Sequence, residues 1–343
     1  MGGSRFEPIT AEQMKASASG GAGLPIEQSA AWERFEQAQG RPLWGRLQWV
    51  EDDRPVALLA LYEYRLRGVR YLWARHGPVW LKEQSPDRAH RLREDLRALV
   101  RSRERGVVFV RLHAAFSAPD LCEPLQTITY DRTIVVDTSG GSEESVLESM
   151  TTDGRRAVRR ARKRMEERGA RIVEETGLSR ERFHEYYAIL TETSQRDGFR
   201  PHPESVYWDL LETLGPDHAR LFGVRVGEDS HLVCWDMVLV NDRQAVAYYG
   251  ASAREARDVL GPDALDFGVA VALAGEGVRG FDLMGIHSPR VAELYTVGRY
   301  KRRFARHHTD VDGAWDMPVR SAGYRALRTA MRAKHAGDRL RAR

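Results

Sequence analysis

The chain has 343 residues, enough for two domains, with 53 Lys and Arg against 49 Asp and Glu and a net charge of +4. Its two cysteines, Cys122 and Cys234, lie in opposite halves, which excludes a disulfide framework and a cysteine-based metal site. No apolar run is long enough to span a bilayer and no N-terminal segment carries the regions of a signal peptide, so a cytoplasmic protein is expected. The opening Met1–Gly23 is rich in Gly and Ala and is expected to be poorly ordered. Apolar, strand-like runs follow at Trp44–Val50, Val56–Tyr64 and Arg70–Ala74, with Glu51–Asp52–Asp53 as a polar break. A helix is predicted over Pro86–Arg103 and a strand over Val107–Leu112. The second half repeats this phrase. Strands are predicted at Arg220–Val226, Leu232–Val240 and Ala245–Tyr249, then a helix at about Ala264–Glu276 and a strand at Gly280–Met284. The pattern predicts a duplicated α+β protein.

Between the two copies the charge is concentrated. Arg155, Arg156, Arg159, Arg160, Arg162, Lys163 and Arg164 crowd one predicted helix, with capping side chains at Thr151, Thr152 and Asp153 and a stop at Gly169. Ala157, Ala161 and Met165 recur at helical spacing as a narrow packing stripe. A solvated face would carry compensating carboxylates at i,i+4, and few stand before Glu166 and Glu167. Phosphate binding is therefore favoured over solubilisation, and the C-terminal Arg320–Arg343 is basic too. No base-reading module accompanies the cluster, so recognition would rest on backbone charge and shape.

Three antiparallel strands, a crossover helix and a further strand resemble the skeleton of the GNAT acyltransferase fold. The reading is α+β: two tandem GNAT-like domains, each a mixed, mostly antiparallel sheet flanked by helices. Residues 1–145 would form the first, completed by 310–343, and 146–309 the second. The run Arg155–Arg156–Ala157–Val158–Arg159–Arg160–Ala161–Arg162–Lys163 resembles a stretch of the Fem family, the aminoacyl-tRNA-dependent transferases that build peptidoglycan interpeptide bridges. Further matches follow in order: Thr191–Phe199, Tyr248–Ser252, Phe281–Ile286 and Val297–Phe304. Gln28–Trp32 and His76–Gly77–Pro78 fit more loosely. The short connection after the Thr191 segment leaves no room for a coiled-coil arm, so the likeness is to the short, FemX-type form.

That resemblance implies an aminoacyltransferase taking its amino acid from aminoacyl-tRNA. Lys301 would lie at the tRNA acceptor end and offset developing charge, as a compact ammonium can. Tyr300 would stack on the terminal adenine, with Arg302 beside it. Tyr249, ahead of Tyr248, would orient the ester carbonyl or the acceptor. Arg155, Arg156, Arg159, Arg160 and Lys163 would meet tRNA phosphates. Arg200, Tyr207, Arg196 and Trp32 would hold the acceptor, although Arg196–Asp197 also reads as a local ion pair. No metal and no cofactor is expected beyond aminoacyl-tRNA as co-substrate.

Two departures fall in the acceptor half. Glu36 stands where the family pattern after the tryptophan has a lysine that contacts a diphosphate, and a carboxylate there would repel it. Arg111–Leu112–His113–Ala114 replaces the family's R-x-D-P. The acceptor is therefore either a peptidoglycan precursor peptide, with peripheral membrane contact if it is lipid-linked, or a small amine or peptide of antibiotic biosynthesis. A GNAT N-acetyltransferase is the rival reading, but Ala253–Gly261 misplaces the residues of a pyrophosphate loop. A non-catalytic RNA-binding protein is the other, and it lacks aromatic platforms among the charges. His307–His308 lacks a third metal ligand, and His76, His113 and His287 read as lone structural histidines.

Overall fold

The computed structural model describes residues 3–21, 23–125 and 129–341, the last helix beyond residue 333 by its backbone only. The chain separates into two compact units, Met1–Asp131 with Val311–Arg343, and Arg132–Asp310. The first boundary falls earlier than residue 145 for a specific reason: the strand Arg132–Asp137 hydrogen-bonds to Gly280–Gly285, inside the second unit's sheet.

The first unit begins with β1 (Ser4–Pro8), α1 (Ala11–Ala18), α2 (Ala30–Ala38), β2 (Leu43–Glu51), β3 (Arg54–Leu66), β4 (Val69–Trp73), β5 (Val79–Trp80), α3 (Pro86–Arg103) and β6 (Val107–Ala114). The expectation of a poorly ordered start is overturned. β1 pairs with β2, Thr10 and Gln13 form a capping box on α1, and Met14 is fully buried. The second unit holds β7 (Arg132–Asp137), α4 (Glu143–Ser149), α5 (Thr152–Glu167), β8 (Arg171–Glu174), α6 (Arg180–Asp197), α7 (Glu204–Leu214), β9 (Ala219–Val226), β10 (His231–Asn241), β11 (Gln244–Ser252), α8 (Gly261–Gly275), β12 (Gly280–Gly285), α9 (Tyr295–Lys301) and β13 (Thr309–Asp310). β14 (Gly313–Pro318) and α10 (Ser321–Arg341) return to the first unit.

Each unit is one sheet. The first runs β1-β2-β3-β4-β6-β14, with β5 on β3, and the second runs β13-β7-β12-β11-β10-β9-β8. Among the described residues, the parallel neighbours in each are the pair flanking the crossover helix, β4 with β6 and β11 with β12. Leu47, Trp49, Leu59, Leu92, Leu96 and Val110 fill the first core, where α3 packs on its sheet. In the second, α8 is apolar almost all round and buries Leu265, Phe267, Val269 and Leu273 against Val224, Val238 and Phe281. An all-round apolar helix can only be a core helix, so α8 fixes the sheet face on which the site is built.

Candidate active site

The two copies differ where their parallel strands end. β4 and β6 are paired from Arg70 to Trp73, and the contact continues through Ala74 N–H to the Arg111 carbonyl and His113 N–H to the Gly77 carbonyl. β11 and β12 pair only over Gln244–Val246 and Gly280–Asp282, then part, although both strands continue. The second copy therefore opens a wedge that the first keeps closed. β11 also carries a bulge: Met237 faces Tyr249 and Val238 faces Ala247, leaving Tyr248 as the extra residue. A bulge disrupts the ladder locally and re-aims the side chain of the extra residue. Tyr249, the sequence's first choice, packs edge-on against Tyr207 with ring centroids 4.7 Å apart. Tyr248 touches Tyr249 at 5.2 Å and is the residue that the bulge presents.

Beside the wedge stands a cluster that sequence reasoning identified only in half. The Tyr300 hydroxyl donates to Asp266 Oδ2 at 2.6 Å. Asp266 is hydrogen-bonded in turn to Asp236 of β10. Lys301 Nζ donates to the Gly285 carbonyl at 3.2 Å, at the end of β12. Burial, then the Asp266 charge, pushes Asp236 well above the usual carboxylate range. Burial pushes Asp266 up to about 6, against the stabilising hydrogen bonds from Tyr300 and Asp236. Two carboxyls in contact away from water cannot both ionise, so the pair holds one proton between them. Burial lowers Lys301 although Asp266, Asp282 and Asp236 all favour its charge. At Gly250, opposite Asp236 on β11, an added Cβ would lie 2.4 Å from Asp236 Oδ1, so the glycine leaves this carboxyl its space.

Lys301 is thus half-buried in a carboxylate cage and not an exposed surface cation. The Tyr300 hydroxyl is held by Asp266, and its ring contacts Phe304 at 5.5 Å and the Arg303 guanidinium at 4.5 Å. Asp236 and Asp266 were missed, yet the signal is in the chain. Asp236 is the lone carboxylate of the apolar run His231–Asn241, and Asp266 lies one turn past Asp263 in the apolar run Gly261–Gly275; a buried charge needs a reason.

Tyr300 also lines a groove of about 1920 Å³ bounded by the start of α5, the start of α8 and α9. Eight arginines face it, Arg156, Arg159, Arg160, Arg196, Arg257, Arg299, Arg302 and Arg303, against Asp153, Asp197, Asp263 and Glu293. Arg156 lies 3.6 Å from Asp153, Arg196 2.9 Å from Asp197 and Arg303 2.8 Å from Asp263. Arg159, Arg257 and Arg299 form no ion pair or side-chain hydrogen bond among the described residues. Arg302 buries its Nε without a hydrogen-bond partner among the described residues.

Not all of the predicted cations take part. Arg155 spends its guanidinium on the Met150 carbonyl at 2.7 Å and on Thr152 Oγ1 at 3.2 Å. Lys163 lies 3.8 Å from Glu167, and Arg162 forms two bonds of 2.5 Å to Glu143 of α4. Compensating carboxylates therefore exist, partly from a neighbouring helix, and they neutralise the side of α5 outside the groove. Of the expected acceptor residues, Trp32 belongs to the first unit and Arg196, Arg200 and Tyr207 to the second. Trp32 is 1% exposed, a core residue donating from Nε1 to Glu36 at 2.9 Å. Glu36 is fully buried and also accepts from Tyr64 at 2.5 Å and from Arg41. Tyr207 is buried, its hydroxyl accepting from the His202 N–H at 3.1 Å. Arg196 is bound to Asp197 and to the Ser252 carbonyl, whereas Arg200 is exposed.

Residues 152–302 match the family model described as Acetyltransferase (GNAT) domain. The crystal structure of FemX superposes with a TM-score of 0.73 at 14% identity, covering 94% of this chain and 100% of that one. The structure of L-PGS from Bacillus licheniformis gives 0.53 at 12% identity, covering 90% and 92% of the two chains. The C-terminal domain of a putative lysylphosphatidylglycerol synthetase from Agrobacterium fabrum gives 0.54 at 12%, covering 94% and 97%. A search of the curated proteins finds no match. The class so defined is the tandem-GNAT fold. Within it, the chain shares the FemX arrangement over nearly its whole length. Among the described residues no helix is long and apolar enough to cross a membrane, and no group of His, Cys, Asp and Glu is placed to hold a metal.

Proposed function

We propose that the protein is an aminoacyltransferase that moves an amino acid from aminoacyl-tRNA to an amine of an acceptor. One observation carries the reading: an arginine groove, with several cations unmatched by carboxylates, meets the wedge's acid–lysine cluster at Tyr300. A polyanion laid in that groove would bring its acyl end toward Lys301. Ester aminolysis needs a group that offsets charge on the tetrahedral oxygen and on the departing ribose oxygen, and the Lys301 ammonium fills that role. Tyr248, the bulged residue of β11, would orient the ester carbonyl. The structural likeness to FemX and to lysylphosphatidylglycerol synthetases supports a donor of this kind.

Acetyl-CoA fits less well. α8 opens Gly261–Pro262–Asp263, where Pro262 lacks an N–H and the Asp263 carboxyl, paired with Arg303, occupies the first turn that would cradle a diphosphate. The Fem resemblance favours a peptidoglycan precursor peptide as acceptor. Glu36 does not weaken that choice by repulsion, because it is sealed inside the first unit and satisfied there. A small amine or peptide of antibiotic biosynthesis is the second reading, carried by Arg111–Leu112–His113–Ala114 standing in place of the family's R-x-D-P.

The test is incubation with a total aminoacyl-tRNA pool and candidate acceptors, identifying the new amide by mass spectrometry. RNase treatment is expected to abolish product, and product formation from free amino acid and ATP after RNase would exclude the reading. The groove makes a second prediction. Replacing Arg159, Arg257 and Arg299 together by alanine should flatten the slope of log tRNA affinity against log salt by about two units, since each lost phosphate contact removes about 0.7 to 0.9. The same measurement on Arg162→Ala with Lys163→Ala, which lie outside the groove, should leave the slope unchanged.

A further inference from the structure

The first unit's sheet ends in a group of arginines that its copy in the second unit lacks. β3 turns into β4 through Arg67 and Gly68, both at positive φ, 50° and 79°, with Leu66 facing Val69 across the two-residue turn. Arg70 faces Val107 at the start of β6. Its guanidinium bridges Glu63 of β3 at 3.0 Å and Glu104, just past α3, at 3.3 Å. Arg320, ahead of α10, donates to the Glu104 carbonyl at 3.1 Å, and Arg101 of α3 donates to the Val319 carbonyl at 2.9 Å. These contacts bring the β3–β4 turn, the end of α3 and the start of α10 to one end of the sheet. Arg65, Arg67, Arg103 and Arg105 lie at the same end, all exposed, and form no ion pair or side-chain hydrogen bond among the described residues. Glu63 and Glu104 are both spent on Arg70, so neither neutralises these four. Apolar groups stand among the charges: Leu66 and Val69 flank the turn and are half-buried, as is Trp44, whose ring lies 5.9 Å from the Arg103 guanidinium.

The fold does not require this charge. At the matching place in the second unit, β10 passes to β11 through Asp242 and Arg243, and α8 is followed by Glu276, which is paired with Arg220. We propose that this end of the first unit docks on an anionic phospholipid surface, with Arg65, Arg67, Arg103 and Arg105 meeting headgroup phosphates and Leu66, Val69 and Trp44 meeting the interfacial layer. The guanidinium fork matches a phosphate, and an indole with one apolar side and one polar N–H suits the boundary between headgroups and chains. The apolar flanks favour lipid over RNA. An RNA backbone would satisfy the cations but would leave Leu66, Val69 and the indole against charge. The contact is peripheral and electrostatic in its range, because attraction to an anionic leaflet fades within a screening length of about 8 Å at physiological salt. It involves the first unit alone and stands independently of the donor reading.

Sedimentation of the full chain with vesicles of phosphatidylcholine, alone or mixed with phosphatidylglycerol, tests the assignment. The protein should bind the mixed vesicles and not the neutral ones, and binding should be lost in about 1 M salt, where the screening length falls to about 3 Å. Each cation near an anionic surface strengthens partition about fivefold. Replacing Arg65, Arg103 and Arg105 by glutamine, and Arg67 by asparagine, which tolerates a positive φ, should therefore weaken partition by roughly 10²–10³-fold. The smaller variant Arg103→Gln with Arg105→Gln, which leaves the turn untouched, should weaken it by about 25-fold. Arg159, Arg257 and Arg299 replaced by alanine in the second unit's groove should leave vesicle binding in place. Failure of the wild-type protein to bind the mixed vesicles, undiminished binding in the first-unit variants, or loss of binding in the groove variant overturns the proposal. So does a fourfold variant that loses tRNA affinity at unchanged vesicle binding, which would make this end an RNA contact.

Discussion

Replacing Lys301 by alanine is expected to reduce turnover by 10²–10³-fold, the scale of removing a preorganised group that stabilises transition-state charge. Affinity for tRNA should change little, because that affinity belongs to the groove arginines and not to the caged ammonium. The effect should therefore appear in kcat at unchanged tRNA binding, the signature of an interaction made in the transition state. Lys301 sits among Asp266, Asp282 and Asp236, so its removal also leaves three carboxyls without their cation. Some loss of melting temperature is expected with it, which an exposed lysine would not produce. Lys301→Arg separates the two effects. It restores charge to the cage and hence stability, but a planar guanidinium does not reproduce a compact ammonium at one oxygen, so turnover should remain low. Wild-type turnover in Lys301→Ala, measured by product formation under saturating tRNA, would remove Lys301 from the chemistry.

The architecture was legible because it is written in period and punctuation. Both copies of the strand–strand–strand–helix–strand phrase lie within a few residues of their predicted places, and α5 is capped by Thr151 as its sequence indicates. Individual site residues were less legible, for physical reasons. Whether β11 and β12 stay paired past Val246 depends on a bulge and on what packs beneath them, and neither is a property of a local window. Trp32 and Tyr207 matched the family pattern, but matching a pattern does not say which way a ring points; both point into cores. On α5, only the start of the helix faces the groove, so Arg156, Arg159 and Arg160 share it while Arg155 and Lys163 do not. The other five arginines of the groove, Arg196, Arg257, Arg299, Arg302 and Arg303, are scattered over more than a hundred residues and assemble only in three dimensions. The opening segment failed for the opposite reason. Its Gly and Ala content suggested disorder, while Thr10 and Gln13, a local capping signature, were sufficient to start α1.

Asp236→Asn is expected to make the protein more stable at neutral pH and less active. The sign follows from the proton held between Asp236 and Asp266. Both groups have native pKa values raised above the ordinary value of 3.8, so between the two values the native state binds more protons than the unfolded chain. Stability linked to the pair is fully present below about pH 4 and is lost as pH rises through and beyond the value near 6 for Asp266. At pH 7 to 8 the wild-type protein therefore carries the cost of keeping a proton, or a second charge, in a desolvated pair. Asparagine keeps a donor toward Asp266 without titrating, which removes the cost. The melting temperature at pH 8 should rise by roughly 2–4 °C, what about 1 kcal/mol is worth for a domain of 150–250 residues. The difference between variant and wild type should vanish near pH 4, where both are neutral at position 236. Turnover should fall, because the proton that adjusts Asp266, and through it Tyr300 and Lys301, is gone, and the acid limb of the pH–rate profile should move with it. A variant less stable than the wild type at pH 8, with an unmoved pH–rate profile, would mean that Asp236 is ionised and paired with Lys301, and that the cluster is an ordinary buried ion pair.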